Sequence, residues 1–388
     1  MFNRLRNFPH FNSSNVTLAL SVLKASIRAP IDELRLFALR FSVQHLHGPQ
    51  RLDHQLNHKL SHQDAIVLCV VKDGESLVQA FIEHYLSLGF KHIVFLDNGS
   101  TDATIEVIKS YEQTTLVASD KPFGTYLVIF KNFLLQTFGR GCWCLIADVD
   151  DVLHFPLERS LHNVLRYLNE NSYGTVCIQM LDMFSKAGMP LPTSEPADTT
   201  AKTSADTKQW NLATLTSVFN AYDLSNITRS PYVRKLQPKT HPGIQFLYGG
   251  IRKTVFKGNC FLTKEAMMFV RRGTRLESSH LLKRFLLKRF FLKRSEVADF
   301  SAVFLHYKFT EDFYGTTVKA IEAENHWHKS KEYKAYFSVL KKQIENQQPA
   351  FSLWQPSSLT LRHIDDLVEQ DFLFVSTEFG NAGQLSHR

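Results

Sequence analysis

Ala65-Ile66-Val67-Leu68-Cys69-Val70-Val71-Lys72-Asp73-Gly74-Glu75 is the stretch that decides the fold class. Seven apolar residues in a row are what a strand buried on both faces requires, and the run stops on a charged junction that contains a glycine. The period then changes. Leu77, Val78, Phe81, Ile82, Tyr85 and Leu86 recur at three-to-four spacing, which predicts an amphipathic helix from Glu75 to Leu88 ended by Gly89. His92 to Leu96 is a second short apolar run, Asp97-Asn98-Gly99-Ser100 reads as a turn, and Asp102 reads as the N-cap of a helix through Tyr111. Further out, Tyr126 to Phe138 predicts a helix stopped by Gly139, and Trp143 to Ala147 a strand that runs into Asp148-Val149-Asp150-Asp151. Strands alternating with helices predict an α/β fold with a mostly parallel sheet flanked by helices.

Around this domain, taken as residues 61–335, two helical extensions are expected. In residues 1–60, Leu18, Val22 and Leu23 and then Leu34, Phe37 and Phe41 recur at helical spacing about a break at Pro30. Residues 336–388 read as helical and then weakly patterned, with a disordered tail from Gly380. The segment 190–207 is rich in Pro, Ser, Thr, Ala and Asp without periodicity and predicts a mobile surface loop. His54, His58 and His62 stand at i, i+4 and i+8, a pattern shared by a metal-binding face and a solvated histidine face.

A chain of 388 residues with 44% apolar content buries a substantial core, which excludes global disorder. A net charge of +8 and a pI near 9.1 favour an anionic partner, be it nucleotide phosphate, membrane surface, acidic polysaccharide or nucleic acid. Five cysteines, Cys69, Cys142, Cys144, Cys177 and Cys260, are odd in number and not spaced as zinc ligands, so reduced core thiols in the cytoplasm are expected. No apolar leader with a small-residue cleavage site follows Met1 to Arg6, and no window reaches the roughly 18 apolar residues of a membrane span. The Asn15-Val16-Thr17 sequon is accordingly expected to carry no glycan. Leu281 to Arg294 repeats Lys-Arg pairs at a period of five. On a helix this spreads the pairs around the axis, leaving a membrane surface at the inner face, a protein or acceptor surface, and a packed insertion all open. No nucleic-acid fold signature accompanies it, so no nucleic acid is expected as partner.

The chemistry concentrates at strand ends. Lys72 to Glu75, Asp97 to Asp102 and Asp148 to Asp151 each follow an apolar strand, and in a parallel sheet all three face one edge, where ligands bind. Carboxylates at i and i+2 of an extended chain point to one side, so Asp148 and Asp150 are candidates to share a hard divalent cation, Mg²⁺ or Mn²⁺, that bridges to a diphosphate. An N-cap with a solvated acidic turn gives the same letters.

These segments, together with Phe81-Ile82-Glu83-His84-Tyr85-Leu86-Ser87-Leu88-Gly89, Tyr248-Gly249-Gly250-Ile251-Arg252-Lys253, Leu262-Thr263-Lys264 and Leu305-His306-Tyr307-Lys308-Phe309, resemble the family 2 glycosyltransferases. They are closest to its family-2-like subgroup, over about residues 65 to 335. The resemblance implies a GT-A fold, the nucleotide-diphospho-sugar transferase fold. It implies that Asp73, Glu75 and Asp97 hold the nucleoside, with Asp97 on base or ribose, and that Asp148 and Asp150 hold the metal and diphosphate. By the same resemblance His306 returns to the metal or phosphates, and Arg252 and Lys308 neutralise leaving-group charge. The sequence departs from the pattern at Gly74, where many relatives have Glu, and at Asp151, which replaces a Glu.

The implied reaction is attack of an acceptor hydroxyl on the anomeric carbon of a nucleotide-diphosphate sugar, with inversion, on a carbohydrate or lipid-linked acceptor in glycan assembly. Asp182, read as lying just past a strand from Val176 to Met180, is the candidate base, with a capping role as the alternative. A nucleotidyltransferase would show a Gly-rich, basic phosphate loop after the first strand, and Lys72-Asp73-Gly74-Glu75 is not one. A non-catalytic sugar-nucleotide or glycan-binding protein and a membrane-associated scaffold are the rivals from other classes.

Overall fold

The computed structural model describes residues 31–48, 60–192, 209–229, 241–282, 296–322 and 327–382. The expectations placed on Leu18, Val22, Leu23, the sequon, His54 and His58, on most of the 190–207 loop and on most of the Lys-Arg repeat lie outside these residues, as does the tail beyond residue 382. Residues up to Val43 form one compact unit and Gln44 to Arg388 another. The described part of the first unit is a helix over 31–42, on which the Phe37 and Phe41 rings meet edge to face at 5.1 Å.

The second unit is built on a sheet of β1 (Gln44–His47), β2 (Ala65–Val71), β3 (His92–Asp97), β4 (Thr114–Ala118), β5 (Trp143–Ile146), β6 (Asp151–His154), β7 (Tyr173–Phe184), β8 (Thr263–Phe269) and β9 (Glu296–Phe309). In space they stand in the order β1-β4-β3-β2-β5-β8-β7-β9-β6. Strands β2 to β5, β7 and β9 run one way, and β1, β6 and β8 the other. The expected α/β class with a mostly parallel sheet is therefore what the chain forms. The apolar run at β2 is buried at every position because it is central, between β3 and β5. Helices α1 (Glu75–Ser87), α2 (Thr104–Lys109), α3 (Phe123–Phe138) and α4 (Leu161–Glu170) cover the sheet. Phe81 and Tyr85 of α1 seal the core against Phe95 and Phe90. No described helix is long and apolar enough to cross a membrane.

Three local expectations change. Within the expected helical N-terminal extension, Gln44 to His47 is a strand, because the free edge of β4 supplies backbone partners from Leu116 to Ala118. The strand expected over 176–180 runs from Tyr173 to Phe184, so Asp182 lies inside it and not past its end. After a helix from Trp327 to Glu345, the C-terminal segment joins the body through short ladders: Ala350–Phe351 pairs with Met189–Pro190, Leu359–Thr360 with Ala221–Tyr222, and Val375 bridges to Phe300. The described cysteines are all free, and all but Cys260 are buried.

Candidate functional site

Because β3, β2 and β5 are parallel neighbours, their C-terminal junctions meet at one edge of the sheet. The first two junctions lock onto each other. The buried Asp97 carboxylate accepts N–H bonds from Gly99 at 2.9 Å and Ser100 at 3.2 Å. Asp73, at φ 50°, accepts from the Thr101 N–H at 2.7 Å, while the Glu75 N–H donates to Asp102 at 3.1 Å and the Ala103 N–H to Glu75 at 3.4 Å. A Cβ on Gly74 would lie 2.9 Å from Val71 Cγ2 and 3.4 Å from Val149 Cγ2. A Glu there, as in the family pattern, would force Val71 to shift, and the contact with Val149 sets this junction directly against the acidic turn.

Asp148 to Asp151 is a turn, closed by the Asp151 N–H on the Asp148 carbonyl at 2.9 Å and by the Asp148 N–H on Asp151 Oδ2 at 3.0 Å. The two-residue alternation of an extended chain does not apply there, and Asp148 and Asp150 take different partners. Asp148 turns to two lysines: Lys131 Nζ lies 2.8 Å from Oδ1 and Lys264 Nζ 3.0 Å from Oδ2. Asp150 turns to His306, whose Nε2 is 3.1 Å away. Strand register places that histidine. Residue 306 of β9 stands opposite Asp151 of β6 on one side and Asp182 of β7 on the other, and its Nδ1 lies 2.7 Å from Asp182 Oδ1.

Asp150, Asp151 and His306 thus bring one candidate ligand atom each to within 4.8 Å of the others. Asp151 is fully buried, and its Oδ1 has no hydrogen-bond partner among the described residues. Burial raises the Asp151 carboxyl above its ordinary value, against the pull of Lys264. Burial would also raise Asp150, but the charge of His306 outweighs it and holds Asp150 well below the usual carboxylate range. For His306, burial acts downward and the Asp150 carboxylate upward, and the sum pushes the imidazole up to about 9.

Asp182 is held from a second side. Arg252 Nε lies 2.9 Å from its Oδ2 and Arg252 Nη2 2.6 Å from its Oδ1, a forked pair with both side chains at most 6% exposed. Despite burial, the Arg252 guanidinium keeps Asp182 well below the carboxylate range. Both oxygens of the expected base are thus engaged, Oδ2 by Arg252 and Oδ1 by Arg252 and His306. Arg252 reaches on to Glu332 at 3.3 Å, and Glu332 accepts from Tyr336. Lys308 Nζ donates to the Tyr333 hydroxyl at 3.1 Å.

Two glycines aim Arg252. Gly249 at φ 98° and Gly250 at φ 65° turn the chain into the short helix Ile251–Phe256, conformations that L side chains rarely adopt. A Cβ on Gly249 would collide with the Asn226 carbonyl oxygen. Gly249→Ala is expected to lower stability by about 2 kcal/mol or more, read from urea denaturation.

Sequence reasoning missed Lys131 altogether and did not use Asp151 as a ligand. The one available signal for Lys131 was a lone charge in an otherwise apolar helix, a pattern that a solvent-seeking lysine also gives.

Residues 67–213 match the model of glycosyltransferase family 92. The family that matches is thus 92, where the sequence resemblance pointed to 2. The matched segment carries the site from Asp73 to Asp182, while Arg252, Lys264, His306 and Lys308 lie beyond it. A search of curated proteins finds no match. Among solved structures the chain is similar to TarS residues 1–349 of S. aureus (17% identity, 35% of this chain and 40% of that one, TM-score 0.26). It is also similar to glucosyl-3-phosphoglycerate synthase of Mycobacterium tuberculosis in complex with Mn²⁺, uridine diphosphate and glucosyl-3-phosphoglycerate (14%, 31% and 44%, 0.23), and to HddC of Yersinia pseudotuberculosis (9%, 34% and 64%, 0.23). The match spans less than half the length of the first two. At such scores these likenesses carry no part of the argument.

Proposed function

We propose that the chain is a cation-dependent glycosyltransferase of the GT-A type, moving a sugar with inversion from a nucleoside-diphosphate donor to an acceptor hydroxyl. The observation that supports it most is the Asp150, Asp151 and His306 cluster at the C-terminal edge of the sheet, joined to a family 92 match that includes both aspartates. The donor set fits a hard divalent cation: two carboxylates and an imidazole, with the orphaned Asp151 Oδ1 buried among them. When bound, such an ion offsets the negative charge that grows on the departing diphosphate.

The remaining roles fall to the chain itself. Asp182 fixes the His306 ring through Nδ1 and leaves Nε2 facing Asp150. Arg252 keeps Asp182 ionised and so preserves that orientation. The interlocked loops carrying Asp73, Glu75 and Asp97 form the wall on which the nucleoside rests; their carboxylates order backbone N–H groups, and the surface they shape makes the contact.

The test is thermal denaturation with UDP, GDP, CMP or dTDP, each with and without Mn²⁺, on the wild type and on Asp150→Ala. One nucleotide is expected to stabilise the wild type only with the metal, by about 2.7 kcal/mol at a hundredfold excess over Kd, and to leave the variant unchanged. No metal-dependent shift with any nucleotide overturns the reading.

A further inference from the structure

A cation at Asp150, Asp151 and His306 leaves one part of the site without a purpose: two lysines on one aspartate. Lys131 projects from α3 beside Ile129, Phe130, Phe133 and Leu134, all buried, and Lys264 projects from β8. Their side chains are 3% and 6% exposed, whereas Asp148 between them is 38% exposed. An ammonium has three N–H donors. Lys264 directs one to Asp148 and one, at 2.7 Å, to Asp151, and Lys131 directs one to Asp148; no other acceptor takes a hydrogen bond from either among the described residues. Burying an ammonium with unmet donors is costly.

Charge balance gives the direction. With His306 neutral, as a metal ligand must be, Asp148, Asp150, Asp151 and Asp182 stand against Lys131, Lys264 and Arg252. A divalent cation added alone would leave surplus positive charge in a largely buried site, and a diphosphate removes that surplus. Of Lys131, Lys264 and Asp148, it is Asp148 that reaches solvent, and both buried lysines contact it.

We propose that Lys131 and Lys264 form a diphosphate-binding pair, held ready by Asp148, whose unused N–H donors pass to the phosphate oxygens of the donor when it binds. The proposal rests on the nucleotide-sugar reading above and names two residues that hold the anionic part of that donor. A purely structural role, as counter-ions of Asp148 and Asp151, is the rival.

The experiment uses the full chain with three probes, inorganic pyrophosphate and UDP, each with Mg²⁺, and uridine, in isothermal titration of the wild type, Lys131→Met, Lys264→Met and the matching Arg variants. Loss of a charge-assisted hydrogen bond is expected to weaken pyrophosphate about 10- to 100-fold for each Met variant, with Arg restoring most of it. Uridine binding is expected to stay as in the wild type, which a general loss of structure would not allow. If a Met variant does not fold, the ¹⁵N resonances of the lysine Nζ groups in the wild type take its place: two slowly exchanging ammonium signals are expected to move on adding pyrophosphate. Pyrophosphate affinity unchanged in the folded Met variants, or Nζ signals that stay in place while pyrophosphate binds, overturns the proposal and leaves the glycosyltransferase reading intact. A wild type that binds neither pyrophosphate nor any of UDP, GDP, CMP and dTDP overturns both.

Discussion

Arg252→Met is expected to destabilise the protein by about 3–5 kcal/mol, the range seen when one partner of a buried ion pair is removed. The reason is what remains. Asp182 would keep a carboxylate that is 3% exposed on its side chain, with His306 as its one remaining partner among the described residues. The urea midpoint reads the loss, and adding Asp182→Asn to the Arg252→Met chain is expected to recover much of it by removing the stranded charge. A single variant as stable as the wild type would mean that Asp182 is neutral in the native protein and that the fork on Arg252 contributes little.

Mild acid is the second large effect. His84 and His92 are at most 3% exposed, and burial lowers their imidazoles to about 3 and about 4, with His154 and His280 shifted the same way for the same reason. His84 Nε2 donates to the Leu153 carbonyl at 2.8 Å, a bond the neutral ring makes well. In the unfolded chain each ring takes a proton near 6.5. Below that pH the unfolded state therefore binds more protons than the native one. The stability contributed is complete above about 6.5 and declines as the pH falls towards the folded values of about 3 to 4. At pH 5 the loss is about 2 kcal/mol for each of His84 and His92. Urea midpoints at pH 7 and pH 5 are expected to differ accordingly, and His84→Gln, which keeps a donor for Leu153, is expected to lose its share of the difference. Equal midpoints at the two pH values would show that the buried rings are charged in the folded state.

The sheet was legible where the signal is local. Seven apolar residues at Ala65 to Val71, the helical spacing after Glu75 and the second run at His92 suffice for the β2-α1-β3 unit, since each needs only its own burial to be recognised. The acidic turn was legible as chemistry but not as geometry. An extended Asp148 to Asp150 and a hydrogen-bonded turn share the same letters, and the choice between them is made by the Asp148 N–H bond to Asp151. The roles of Lys131 and Lys264 and the place of Asp182 inside β7 were not legible, because each is fixed by a partner on another element: Lys131 meets Asp148 17 residues away, Lys264 meets it across 116, and Asp182 meets Arg252 across 70. A charge inside an apolar element announces that a partner exists without saying which.

Strand β6 has a consequence for synthesis. Its ladder partner in the sheet is β9, where Val152 to His154 pair with Val303 to Leu305. At roughly 5–20 residues per second, a ribosome needs on the order of 10–30 s to travel from Asp151 to His306. Through that interval Val152 and Leu153 have no β9 to cover their edge, and Asp150 has no imidazole beside it. The nascent chain thus carries an unpaired apolar strand next to an acidic turn that has Lys131 as its counter-charge but neither Lys264 nor His306, until β9 has emerged.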